Sequence, residues 1–299
     1  MSGPAMLAHL ILEKFSGKVL ERIPEPGLVM GDAAQNEAFE RVGREDGLLA
    51  FIYLYQAIQI SNLVKPGEKV LDLGCGPANQ LVQIARLNPS ADFLGLDASS
   101  EMLNRARDTV ARCGTGNVGL ESGDMTRLSG FADASFDCVI STMTLHHLPD
   151  EDALFSTFRE ARRVLKPGGG IYLIDFGRLK RSATQRFFSR DRSAEQPENF
   201  TLDYFNSLKA AFSVDEFSRA LRLLGDGLTK YETALAPFMV IFRSAARRVP
   251  DEMARNFAGE IYANFTRSQQ KDFRLYSRWL KAGGLDLPFE PFRVRSFRH

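Results

Sequence analysis

An aspartate and two glycines set close together in "KVLDLGCGPAN", residues 69 to 79, form the first constellation able to do chemistry. Val70, Leu71 and Leu73 make a short apolar run of the kind that forms a buried strand, broken by Asp72. Gly74 and Gly76 let the chain turn without Cβ clashes and let a ligand approach the backbone. Free N–H groups at the start of a helix expected from Asn79 to Leu87 favour polar or anionic ligand atoms. A phosphate-cradling loop needs Lys and then Ser or Thr after its second glycine, where this chain has Pro77, Ala78 and Asn79. A dinucleotide fingerprint needs Gly or Ala at the position of Asn79. A carboxylate at the strand end also repels a diphosphate and attracts an ammonium, so the turn is expected to hold a ligand with a positive group near Asp72.

At "DLGCG" the sequence resembles the class I S-adenosylmethionine-dependent methyltransferases, whose first motif is an acid, any residue, Gly, any residue, Gly. The resemblance continues in order through "FLGLDASSEML", "GDM", "FDCVISTMTLHHLPD" and "RVLKPGGGIYLIDF", and covers residues 60–176 with a weaker continuation to about 244. Within the family the nearest likeness is to the branch of the ubiquinone and menaquinone biosynthesis methyltransferases. What the resemblance implies is a cofactor, S-adenosylmethionine, leaving as S-adenosylhomocysteine. Asp72 would meet its amino group, Gly74 and Gly76 its methionine part, and Asp97 its ribose hydroxyls. Ala98 and Met102 would pack on the adenine, Asp124 would accept from the adenine amino group, and Met125 would lend its backbone N–H. Ser141 and Thr142 would lie beneath the sulfonium.

Each residue has a plainer reading beside this one. Asp97 and Asp124 could cap helices, with Ser99, Ser100 and Thr126 following them. Met102 and Met125 could be core filler. Cys75 has no base near it in sequence and is assigned no chemistry. Methyl transfer asks a protein to align the acceptor, exclude water and, where necessary, remove a proton. His146 and His147, two of only four histidines, are the candidate bases. A structural role at the start of the next helix is the preferred alternative. Tyr53 and Tyr55 are candidate lid residues over the cofactor, with core packing as their rival.

Positioning these residues requires a frame. Strands are expected near 69–73, 92–97, 117–121, 136–141 and 170–176, with helices near 79–88, 99–112 and 151–165. This alternation argues a parallel sheet with right-handed crossovers. The family resemblance implies an α/β fold, a Rossmann-like sheet of seven strands whose last is antiparallel, closed by a hairpin near 228–235 and 238–243. Residues 1–60 read as an N-terminal helical lid, with Leu7, Leu10, Ile11 and Phe15 on one face and a loop, "RIPEPGLVMGD", before an apolar helix near 48–60. The core would run over 61–246. Residues 177–212, basic and then aromatic, read as an insertion, a candidate substrate cap. Ser213 and Glu216 form a capping box for a helix to Leu224. Residues 247–299 read as a helical extension whose apolar side, Phe257, Ile261, Phe265, Phe273, Tyr276 and Trp279, is expected to bury within the same chain.

Composition narrows the function classes. The 299 residues are 44% hydrophobic and 25% charged, with a net charge of +1, which gives no reason to expect a nucleic-acid partner. Three cysteines without metal-type spacing argue against a disulfide framework or a metal site and fit a reducing cytoplasm. No apolar run is long enough to span a bilayer and no leader pattern is visible, so stable membrane insertion and export are not expected. The expected function is methyl transfer to a carbon, oxygen or nitrogen of a small-molecule or peptide acceptor, by a monomer or homodimer. A non-catalytic cofactor-binding assembly partner and an NAD-dependent oxidoreductase are the alternatives, the latter disfavoured by Asp72 and Asn79.

Overall fold

The computed structural model describes residues 3–25, 42–44 and 47–293. Of the loop expected over residues 22–32, the part from residue 26 lies outside the described residues. Seven strands form one sheet: β1 Lys69–Leu73, β2 Asp92–Asp97, β3 Val118–Ser122, β4 Phe136–Thr142, β5 Leu165–Phe176, β6 Leu228–Glu232 and β7 Met239–Ser244, in the order β3-β2-β1-β4-β5-β7-β6. Strands β1 to β5 pair in parallel, and β7 runs antiparallel to both β5 and β6. Parallel neighbours need a crossover. Three helices supply it: α3 Asn79–Leu87, α4 Ser100–Cys113 and α5 Glu151–Val164. Covered on both faces, β1 buries Val70, Leu71 and Leu73 almost completely. The chain winds from β1 to one side and returns to β4 on the other, so the crevice beyond the carboxyl ends of β1 and β4 is the switch point where open α/β sheets bind ligands.

Local chemistry sets the element ends. Ser99 caps α4 by accepting from the Met102 N–H, and Asp150 caps α5 by accepting from Ala153. The capping box of Ser213 and Glu216 opens helix α8, Val214–Leu221, and a 3-10 turn follows through Leu224. Strand β6 stops at Glu232, short of the expected 235. The Thr233 hydroxyl donates to the Ala236 carbonyl at 2.7 Å, and Leu235 takes φ 72, which closes the hairpin early.

The flanking helices differ from the sequence expectation in where they face. In α1, Pro4–Lys14, Leu10 and Met6 are buried, while Leu7, Ile11 and Phe15 face outward. The buried Glu13 accepts from the Lys180 N–H at 2.8 Å, and that bond fixes the rotation of the helix. Helix α2, Ala50–Ser61, is buried at every residue and is therefore a core element, meeting the ligand cavities only at its first turn. The insertion forms α6 Ser182–Arg190 and α7 Glu198–Ala210, and the extension forms α9 Glu252–Asn264 and α10 Arg267–Ala282. The apolar side of α10 packs within the chain: Tyr276 meets Tyr55 edge-on at 5.1 Å between ring centres, and Trp279 stacks on Phe238 at 5.5 Å and on Phe188 at 6.0 Å. Among the described residues no helix is long and apolar enough to cross a membrane.

Candidate functional site

Two cavities adjoin at the switch point. The first lies at the turn after β1 and spans about 1480 Å³, the solvent open to it included. Gly74 and Gly76 take φ 74 and φ 53, the left-handed region that favours glycine. A Cβ on Gly74 would lie 2.3 Å from the Thr144 hydroxyl, so the close approach of the two loops also demands glycine there. Around Gly76 a Cβ would meet nothing within 4 Å, which leaves open space over its backbone. Asp97 holds this turn from the next strand: one carboxylate oxygen accepts from Gly76 N–H and the other from Ser99 N–H, both at 2.8 Å. The cap of α4 is Ser99, so Asp97 is not the helix cap. Burial pushes its carboxyl above the usual range, against the pull of those two N–H groups.

Asp72 is 2% exposed and contributes no surface to the cavity wall, yet its Oδ1 has no hydrogen-bond partner among the described residues. Burial, and then the charge of Asp97, push its carboxyl up to about 8. A buried acid left in this way costs about 1–3 kcal/mol unless a partner arrives. An ammonium would be that partner, so the residues present fit the methionine end of S-adenosylmethionine. Ala98, Met102 and Met125 line the same cavity. Asp124 lines it too, while its Oδ1 accepts from the Thr126 N–H and hydroxyl at 2.8 Å, so the turn reading also describes it. Ser141 does not line the cavity. It is wholly buried and donates to the Leu73 carbonyl at 3.0 Å, tying β4 to β1, and Thr142 faces the space instead. Burial, followed by Asp72 and Asp97, raises the Cys75 thiol well above its ordinary value, which agrees with assigning it no chemistry.

The second cavity, about 1000 Å³ with the solvent open to it, is walled by Phe51, Phe176, Phe188, Phe200, Tyr204 and Phe238. Arg192 also lines it and pairs with Asp272 and with Glu195. Arg178, from the same basic stretch, pairs with Glu216 at 2.6 Å. Tyr53, Met143 and His147 line both cavities and form the seam between them. Tyr55 lines neither; it sits in the core, its hydroxyl 3.4 Å from the Leu285 carbonyl. On a helix buried all round, two residues two apart point to different sides.

The two histidines differ in environment. His146 is buried, with Nδ1 2.7 Å from Asp175 Oδ1 and its backbone N–H donating to Asp175 Oδ2 at 2.9 Å. Burial opposes its charge, but Asp175 and then Glu25 raise its pKa above the ordinary value. His147 stands at the seam with Nδ1 2.7 Å from Glu25 Oε2, and Glu25 Oε1 accepts from the Ser207 hydroxyl at 2.8 Å. Burial works against ionisation of Glu25, yet the His147 hydrogen bond and the histidine charges hold its carboxyl down at about 2. Arg22 anchors the segment bearing Glu25, donating to the carbonyls of Ala210, Pro149, His146 and Leu148.

Glu25, Asp175 and Ser207 were not among the residues singled out from sequence. Asp175 had a readable signal, an acid at the carboxyl end of an apolar strand, the same signal as Asp72. Glu25 and Ser207 had none, since only folding brings them to the seam. The sequence offers no metal-type spacing, but the fold gathers Glu25, His146 and His147 so that one donor atom of each lies within 4.8 Å of the others.

The sheet order, the glycine turn after β1 and the acids at the ends of β1 and β2 are those of a Rossmann-like methyltransferase fold. The model of the methyltransferase-domain family matches residues 64–219, and this chain belongs to that family. It is similar to the demethylmenaquinone methyltransferase of Listeria monocytogenes, 38% identical over 113 residues, which is 38% of this chain and 46% of that one. It is also similar to the 27-O-demethylrifamycin SV methyltransferase of Amycolatopsis mediterranei, 34% identical over 114 residues, 38% of this chain and 40% of that one. The chain spans a third to a half of the length of the curated relatives it matches. A solved methyltransferase from Aquifex aeolicus shares the fold with a TM-score of 0.52 at 19% identity, over 72% of this chain and all of the other.

Proposed function

We propose that the protein transfers a methyl group from S-adenosylmethionine to a small, largely apolar acceptor held in the aromatic cavity. The observation that carries this reading is the seam: a cavity with glycine and carboxylate walls opens onto an aromatic one across Tyr53, Met143 and His147. S-Adenosylmethionine supplies the methyl group and its own leaving group. Asp72 would bind the ammonium, Gly74 and Gly76 give room for the methionine part, and Asp97, already held by two N–H groups, keeps lone pairs for the ribose hydroxyls. Ala98, Met102, Asp124 and Met125 would hold the adenine. Aromatic walls exclude water and orient a flat acceptor, which favours a small molecule over a peptide. His147, held by Glu25 and facing both cavities, is placed to take the acceptor's proton; His146, behind it and bound to Asp175, positions the loop. Two half-buried free cysteines and a buried third are consistent with a reducing cytoplasm.

Calorimetric titration tests the cofactor side. S-Adenosylmethionine and S-adenosylhomocysteine should bind and NAD should not, because the turn offers carboxylates and no diphosphate cradle. NAD binding of equal strength would refute the reading. Labelled-methyl transfer to a panel of aromatic hydroxyl compounds and amines then identifies the acceptor class.

A further inference from the structure

The seam holds a donor set with a chemistry of its own. Glu25, His146 and His147 present one carboxylate and two imidazoles, the composition of three-ligand zinc sites that keep a position open. The donor atoms are spaced for it. Glu25 Oε2 lies 2.7 Å from His147 Nδ1, and Glu25 Oε1 lies 4.0 Å from His146 Nε2. Bonds of about 2.0–2.1 Å in a tetrahedral zinc site put neighbouring donors about 3.3 Å apart, so an ion would replace the Glu25–His147 contact and draw His146 Nε2 closer. Asp175 supplies the support such a site needs. Its Oδ1, 2.7 Å from His146 Nδ1, fixes the tautomer that leaves Nε2 free to bind a metal. The Ser207 hydroxyl orients Glu25 from the other side. Metal ligation requires both imidazoles to give up their extra proton, and the carboxylates of Glu25 and Asp175 would then offset the charge of the ion.

We propose that Glu25, His146 and His147 bind a divalent transition metal, with zinc the ion whose preferences they meet, and that its open position faces the seam. The use of the metal rests on the methyl-transfer reading and would take the place of His147 as proton acceptor, since a metal-bound imidazole has no free lone pair. An acceptor hydroxyl bound there would lose its proton to solvent more readily. The oxygen–carbon bond would then form as the carbon–sulfur bond breaks, releasing S-adenosylhomocysteine. Binding itself does not rest on that reading.

Protein stripped by a chelator is titrated with Zn²⁺ against a chromogenic competitor at neutral pH. One equivalent should bind with a dissociation constant of about 1 µM or tighter. His147→Gln and Glu25→Gln should weaken it by about 100-fold, and Asp175→Asn by about 10- to 100-fold. His9→Gln, on a remote helix, should leave it unchanged. Binding of S-adenosylhomocysteine by each variant reports that it is folded. His147, partly exposed, is the substitution best tolerated and decides the matter if the buried ones fail to fold. Wild-type protein that does not compete for zinc, or zinc affinity unchanged in His147→Gln, overturns the proposal and leaves His147 as the proton acceptor. Failure to bind S-adenosylhomocysteine would instead sink the methyl-transfer reading while the zinc titration stands by itself.

Discussion

The cavity at the β1 turn takes most of its walls from short stretches at the ends of strands, residues 74–80, 96–102, 123–126 and 142–153, with Tyr53 of α2 added. The aromatic cavity beside it takes its walls from the first turn of α2, the end of β5, both helices of the insertion, the start of β7 and a residue of α10. One site needs backbone geometry and carboxylates at stated positions. The other needs large side chains delivered from elements far apart in sequence. The contrast teaches how differently two adjoining cavities are encoded. Backbone turns tolerate few residue types, because a Cβ at Gly74 would strike Thr144 whatever else changed. Aromatic walls tolerate many, provided volume is kept.

The widest separation between the two cavities should come from Trp279→Ala. The indole stacks on Phe238 and Phe188 and donates to the Ala234 carbonyl, so its removal should cost about 3–5 kcal/mol in chemical denaturation. Protein that remains folded at low temperature should bind S-adenosylhomocysteine nearly as before while its turnover collapses. Equal loss of cofactor affinity would show that the two cavities are not independent. His147→Gln sits on the seam and should lower turnover about 10²-fold, about 2.7 kcal/mol, with cofactor affinity little changed.

Asp97→Ala should do the reverse of Trp279→Ala. Cofactor binding should weaken by about 1–3 kcal/mol in calorimetry, with little loss of global stability in excess cofactor. The smallest effect is a pH dependence. The Asp72 carboxyl is raised to about 8, so in the free protein its contribution favours folding at low pH and fades as pH rises toward that value. A cationic ligand group favours the ionised form. Cofactor affinity should therefore rise between pH 6 and 7.5, by at most about 1.4 kcal/mol per pH unit, with proton release seen by calorimetry in buffers of different ionisation enthalpy. An affinity independent of pH across that range would show that Asp72 does not meet a cation. Asp72→Asn should abolish the slope.

The legible parts share one physical property. Strands β1, β2 and β4 and helices α3, α4 and α5 were readable within one or two residues, since fully buried apolar runs and N-cap residues are local signals. Asp97 and Gly76 were both singled out from the sequence, and a hydrogen bond at 2.8 Å joins them. Ser141 misled, because alternation along β4 turns its hydroxyl to Leu73 and presents Thr142 to the ligand side. Tyr55 misled in the same way on α2. Leu7, Ile11 and Phe15 share a face, but Glu13, anchored to Lys180, turned another face inward.

The cofactor class came from the family resemblance; from the residues themselves came the parallel part of the sheet, the glycine turn and the carboxylates at two strand ends. These depend on φ angles, strand alternation and residue type over a few consecutive positions. Only the tertiary structure decided that His147 and not Tyr55 stands at the seam, that His146 is bound to Asp175, and that Glu25 closes on both histidines. Those contacts join residues from about 30 to more than 100 positions apart. No local propensity encodes them; the packing of buried helices and one arginine, Arg22, across four carbonyls brings them together.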